Sequence, residues 1–193
     1  MDKHGKLFNR IAIFYQFTFP NQIRNYRNLL SNHVIRKLLP ESGRVLDLGT
    51  GTGAFGYVFQ ELGYEVTGVD VAPKMVKICR KNHLKCKLCD IPNGLPFNDD
   101  FFDFVISANF IHGLAYENRI HVYQESKRVS KKFTLFYDYN LLQKHRWKTK
   151  FIEWLEGGAY RDFCNKGLNE LNNYFKNVNV YELNNKNAFY LCF

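Results

Sequence analysis

The sequence predicts an α/β fold: a doubly wound, mostly parallel sheet closed by an antiparallel C-terminal hairpin and preceded by a helical cap. Three observations predict it. After residue 40, short apolar runs alternate with segments of helical period, the signature of β–α–β units. The first of those runs, VLDL at 45–48, breaks directly into glycines. The last 16 residues, VNVYELNNKNAFYLCF, are two strand-like runs around an Asn-rich turn.

In chain order, residues 1–40 form the cap and 41–193 the core of one expected domain. KLFNRIAIFYQF and RNYRNLLSNHVIRKLL both carry apolar residues at helical spacing, with Pro20 expected to separate them and Pro40 to end the second. Arg44–Leu48 reads as a strand, Gly49–Gly53 as a tight turn, and Ala54–Leu62 as a helix stopped by Gly63. Tyr64–Val69 is the next strand, and Pro73–Lys81 a helix with proline in its first turn. Lys85–Cys89 and Phe104–Ser107 are strands joined by a loop rich in Asn, Pro, Gly and Asp. Tyr116–Val129 reads as a helix, Phe133–Tyr137 as a strand, and Leu141–Leu155 and Tyr160–Phe175 as helices around Gly157-Gly158.

At 193 residues, 46% hydrophobic and 23% charged, the chain has room for one sizeable core and is not of disordered composition. No apolar stretch reaches the ~18–20 residues that span a bilayer. MDKHGKLFNR lacks the apolar core and cleavage site of a secretory signal, so a cytoplasmic location is expected. The five cysteines are odd in number and irregularly spaced; free buried thiols are the expectation. Cys86 and Cys89 form one CxxC with no second pair to complete a metal shell, so no metal is expected. The net charge of +9 is concentrated. Residues 1–39 hold seven Lys/Arg against Asp2 alone, and residues 127–150 hold eight against Asp138 alone. Such surfaces attract nucleic acid, anionic lipid or acidic metabolites, or are simply solvated.

The chemistry gathers at strand ends, where open α/β sheets bind their ligands. Asp47, Asp70 and Asp90 end three consecutive predicted strands. VLDLGTGTGAFG at 45–56 contains both GxGxxG, through Gly51, Gly53 and Gly56, and DxGxGxG, through Asp47, Gly49, Gly51 and Gly53. The first pattern suits a dinucleotide. The second puts a carboxylate where pyrophosphate would have to sit, and favours a cationic nucleoside such as S-adenosylmethionine. On that reading Gly56 falls in the following helix by coincidence. Asp70, 19 positions after Gly51, suits a ribose 2′,3′-diol in either case.

VLDLGTGTG, then VTGVDVAPKMV, then CDIPNGLPFNDDFFDFVIS resemble the class I S-adenosylmethionine-dependent methyltransferases, in the right order over about residues 43–108. The resemblance implies a Rossmann-like seven-stranded sheet with an antiparallel seventh strand, and S-adenosyl-L-methionine as cofactor. It implies Asp47 near the methionine moiety, Gly49, Gly51 and Gly53 lining the cofactor, and Asp70 on the ribose. Val71 and Met75 would pack on the adenine, Asp90 would accept from its amino group, and Ile91 would cover the other ring face. Ser107 to Asn109 would lie beside the transferred methyl.

FNRIAIFYQF resembles the FDxIAxxYD opening of ubiquinone/menaquinone-type methyltransferases, with Asn9 and Gln16 in place of both acids. Tyr15 in that segment is a candidate to close over the cofactor, and His112 a candidate general base. SANF at 107–110 stands where enzymes acting on exocyclic amines of bases carry an Asp/Asn/Ser-Pro-Pro-aromatic motif. The leading expectation is therefore methyl transfer to a small molecule, which the basic rim allows to be anionic. The alternatives are an RNA methyltransferase using the basic cap and QKHRWKTK at 143–150, with Tyr26 and Trp147 among the charges, or a non-catalytic cofactor-binding module. A nicotinamide dehydrogenase is disfavoured by Asp47.

Overall fold

The computed structural model describes residues 3–143 and 159–193. The expected helix over 141–155 and the basic segment at 143–150, Trp147 included, lie outside those residues but for 141–143, which form a turn and a bend. The chain divides into two compact units, Met1–Asp90 and Ile91–Phe193. The cap helices group with the first three strands in the first of these units.

In the first unit α1 is Lys3–Leu30, α2 His33–Leu38, β1 Arg44–Leu48, α3 Ala54–Glu61, β2 Glu65–Asp70, α4 Pro73–Lys81 and β3 Lys85–Leu88. The predicted break at Pro20 does not occur: α1 runs 28 residues straight through it. Proline withholds one N–H, from the carbonyl four residues earlier. That residue, Gln16, is exposed, so water can take the place of the missing donor. The helix ends instead at Ser31, where Asn32 caps α2 by accepting from the backbone N–H groups of Val34 and Ile35. The inward stripe of α1 packs on α3 and α4. Phe19 and Tyr26 meet Tyr57 and Phe55 of α3, and Arg27 forks onto Glu61 at 2.6 and 2.8 Å. β1, β2 and β3 are parallel in the order β3-β2-β1, with Asp47 opposite Gly68 and Asp70 opposite Leu88. β1 is apolar almost throughout because it is buried on both faces.

In the second unit β4 is Phe104–Ala108, α5 Tyr116–Val129, β5 Thr134–Tyr139, α6 Ala159–Tyr174, β6 Val178–Glu182 and β7 Asn187–Cys192, with short 3-10 turns at Ile91–Asn93 and Ile111–Gly113. The order is β4-β5-β7-β6: β5 is parallel to β4 and antiparallel to β7, and β6 and β7 form the predicted hairpin. With the first unit's three strands the chain supplies the seven strands of a mixed sheet. Arg119, 0% exposed, fastens α5 to α6. Its guanidinium donates to Glu170 at 2.8 and 2.6 Å, to Asp162 at 2.6 Å and to the Leu114 carbonyl at 2.7 Å.

Candidate functional site

The glycine turn is built from the end of β1 outward. Gly49, Gly51 and Gly53 have φ of 63°, 57° and 90°, a left-handed run that a side chain would strain. The three glycines are not equivalent. A Cβ on Gly53 would lie 2.9 Å from Cys79 Sγ, so that glycine lets the turn sit against α4. A Cβ on Gly51 would meet nothing within 4 Å, so the turn is open there to a ligand.

Asp47 is 1% exposed and faces into the protein. Its Oδ2 accepts from the Thr50 hydroxyl at 2.6 Å and from the Gly56 N–H at 3.1 Å. Burial pushes this carboxyl up to about 7, against the opposing pull of the Thr50 and Gly56 donors. Asp47 is therefore an anchor behind the turn. A carboxylate that faces inward does not stand in the path of a pyrophosphate, so Asp47 does not by itself exclude a dinucleotide. Nor is Gly56 incidental. A Cβ there would lie 2.9 Å from Asp47 Oδ2, so glycine is what lets the helix backbone reach the carboxyl group.

Asp70 joins the turn to the end of β2. Its Oδ2 accepts from the Gly51 N–H at 2.9 Å and its Oδ1 from the Ala72 N–H at 2.8 Å. Burial raises its pKa, with these backbone donors opposing. A carboxylate has about four lone-pair positions, so two bonds leave capacity for a diol. The open face at Gly51 and the adjoining Asp70 carboxylate fit a nucleoside.

Val71 and Asp90 are half-buried at the ends of β2 and β3. Met75 is 1% exposed and packs with Phe8, Ala12, Ala72 and Ile78, as a floor beneath α1. The Tyr15 ring lies tilted by 59° against Phe8 of the same helix, 5.8 Å between centroids. Of the predicted residues in this unit, the structure joins Asp47, Gly51, Gly53 and Asp70 into one turn-and-anchor assembly.

In the second unit Ile91 is buried in its 3-10 turn, Ser107 is buried in β4, and Asn109 is exposed at φ 52° with its N–H on the Tyr137 carbonyl at 2.8 Å. His112 is buried, and its Nδ1 lies 2.6 Å from Asp138 Oδ1. The same carboxylate accepts from the Tyr139 N–H at 2.8 Å. The edges and faces of Tyr139 and Tyr160 meet the imidazole at 4.8 and 6.2 Å between ring centroids. A carboxylate only accepts, so Nδ1 carries the proton and the ring is held in one orientation.

Two members of these assemblies were not foreseen. Thr50 sits inside the glycine motif, where its hydroxyl reads as filler. Asp138 lies near the end of β5, the same strand-end signal that singled out Asp47, Asp70 and Asp90. Cys86 is buried and Cys89 half-buried, and among the described residues no group of three His, Cys, Asp or Glu could hold a metal. No described helix is long and apolar enough to cross a membrane.

Residues 45–132 match the methyltransferase domain family. The demethylmenaquinone methyltransferase of Tropheryma whipplei (strain Twist) is 35% identical over 112 residues, 52% of this chain and 44% of that protein. The 18S rRNA (guanine-N(7))-methyltransferase bud23 of Schizosaccharomyces pombe is 33% identical over 73 residues, 36% of this chain and 27% of that protein. The chain thus spans less than half the length of these curated relatives. Among solved structures, a SAM-dependent methyltransferase of Thermotoga maritima superposes with a TM-score of 0.66 at 17% identity, over 97% of this chain and 98% of that one, a likeness of fold. In its fold, its glycine turn and the match over residues 45–132, the chain is similar to the class I S-adenosylmethionine-dependent methyltransferases.

Proposed function

We propose that the chain binds S-adenosyl-L-methionine at the turn between β1 and α3 and transfers its methyl group to a small-molecule acceptor. The observation that carries the reading is the bond from the Gly51 N–H to Asp70, which sets an open backbone face beside a strand-end carboxylate. When bound, the cofactor supplies a methyl group on a sulfonium, an activated leaving group. The chain's residues bind and orient it: Asp70 accepts from the ribose hydroxyls, and Gly49 and Gly51 give the nucleoside a surface without side chains. Asp47 keeps that surface in place from behind. Val71, Asp90 and Ile91 carry the adenine assignments of the family resemblance, and Ser107 and Asn109 those for the methionine end.

Positioning supplies much of the rate in such a displacement. Where the acceptor holds a proton, His112 is the base, oriented through Nδ1 by Asp138. The likeness to a demethylmenaquinone methyltransferase supports a small-molecule acceptor. The likeness to an rRNA methyltransferase, with the basic stretch 1–39, supports RNA as the second reading.

The test is radiolabelled methyl transfer into fractionated cell extract, separated into protein, RNA, lipid and small-molecule pools. Label in the lipid or small-molecule pool is expected. Label confined to RNA would replace the first reading with the second.

A further inference from the structure

The outward stripe of α1 exposes three large apolar side chains to solvent. Ile13, Phe14 and Phe17 are 56%, 72% and 78% exposed. At 3.6 residues per turn, positions 6, 10, 13, 14, 17, 21 and 24 share one side of a helix. The opposite stripe, with Ala12, Ile23 and Leu30 buried, is the one packed on the protein. The exposed stripe therefore reads Lys6, Arg10, Ile13, Phe14, Phe17, Asn21, Arg24: an apolar centre with cations toward both ends, all exposed. α1 contains no Asp or Glu.

We infer that this face docks the protein on an anionic lipid bilayer. The helix lies flat, Ile13, Phe14 and Phe17 enter the boundary between headgroups and acyl chains, and Lys6, Arg10 and Arg24 sit on headgroup phosphates. Charge decides among occupants. A second copy packed on the same face about a two-fold axis would bring Arg10 and Arg24 against like charges with no acid on either helix. A nucleic-acid strand could stack bases on Phe14 and Phe17, but it offers no apolar partner for Ile13 and would find phosphate-binding cations only toward the two ends of the stripe. A bilayer takes both halves of the pattern: hydrocarbon for the centre, phosphate for the ends. The inference goes beyond the proposed methyl transfer and does not depend on it.

The experiment is co-sedimentation of the full chain with phosphatidylcholine vesicles, with and without about 30% phosphatidylglycerol, at low and high salt. Binding to the anionic vesicles alone, weakened by salt, is expected. The double variant Phe14→Ser/Phe17→Ser should reduce it about tenfold or more, and Arg10→Glu/Arg24→Glu similarly. Both act at exposed side chains, and an unchanged thermal melt and unchanged S-adenosylhomocysteine binding separate loss of docking from loss of fold. Three results would overturn the inference: no binding to anionic vesicles, a Phe-dependent dimer by sedimentation velocity, or Phe-dependent binding of a single-stranded RNA probe with none of vesicles.

Discussion

Replacing Gly56 with alanine sets two effects against each other. In a helix interior alanine is favoured over glycine by about 1 kcal/mol. The new Cβ, however, would lie 2.9 Å from Asp47 Oδ2, 2.9 Å from Leu84 Cδ2 and 3.1 Å from Val66 Cγ1. The carboxyl oxygen cannot swing away without giving up the Thr50 hydroxyl and the Gly56 N–H. Overpacking of a filled site costs roughly 1–3 kcal/mol, and three close neighbours at one atom put this site toward the upper end. The net loss is about 1–2 kcal/mol. For a domain of this size that lowers Tm by roughly 2–8 °C. Thermal melts of the two proteins, followed by far-UV circular dichroism at pH 7, measure it. In an Asp47→Ala background the same substitution should cost less, because one of the three clashes is gone. A Gly56→Ala protein melting at or above the parent would refute the packing of Asp47 behind α3.

Asp47 also predicts a pH dependence. Its folded pKa is raised to about 7, so the folded protein keeps a proton that the unfolded chain has released above about pH 4. Stability should fall as pH rises from about 4 to 7, by up to ~1.4 kcal/mol per unit, then level off. Urea midpoints at pH 5 and pH 8 should differ less in Asp47→Asn; an undiminished difference would contradict the assignment. Glu170→Ala strands the Arg119 guanidinium with Asp162 and one carbonyl, and should cost roughly 3–5 kcal/mol by urea denaturation. A loss below about 1 kcal/mol would mean the network is not the fastening between α5 and α6. Asp138→Asn and His112→Ala should each slow methyl transfer about 100-fold or more, with affinity for S-adenosylhomocysteine unchanged. Full activity in either variant would remove the dyad from the chemistry.

The strands were legible where an apolar run ends in a strong stop. Arg44–Leu48 ends in the glycine turn, and Pro73 marks the start of α4, so both elements stand where the sequence puts them. β2, β4 and β5 run one or two residues beyond their predicted ends, because their ladders continue to the pairs of Asp70 with Leu88, Ala108 with Tyr137 and Tyr139 with Asn187. Pro20 was misleading for a physical reason: a break needs a penalty that water cannot relieve, and the carbonyl it deprives is on an exposed turn. The site was legible as positions but not as orientations. Asp47 and Asp70 look alike in the sequence, each an acid after an apolar run, yet one faces inward to Thr50 and Gly56 and the other lies beside the open face at Gly51. Only the close approach at Gly56 distinguishes them, and spacing does not carry such a contact. Asp138 carries the same strand-end signal, but its pairing with His112, 26 residues away in sequence, exists only in the fold.

Calorimetric titration of the protein and of Asp70→Ala with S-adenosylhomocysteine and with NADH separates a methyl-donor site from a dinucleotide site. Micromolar binding of S-adenosylhomocysteine, its loss in Asp70→Ala, and no binding of NADH are expected. Micromolar binding of NADH with none of S-adenosylhomocysteine would contradict the proposed methyl-donor site.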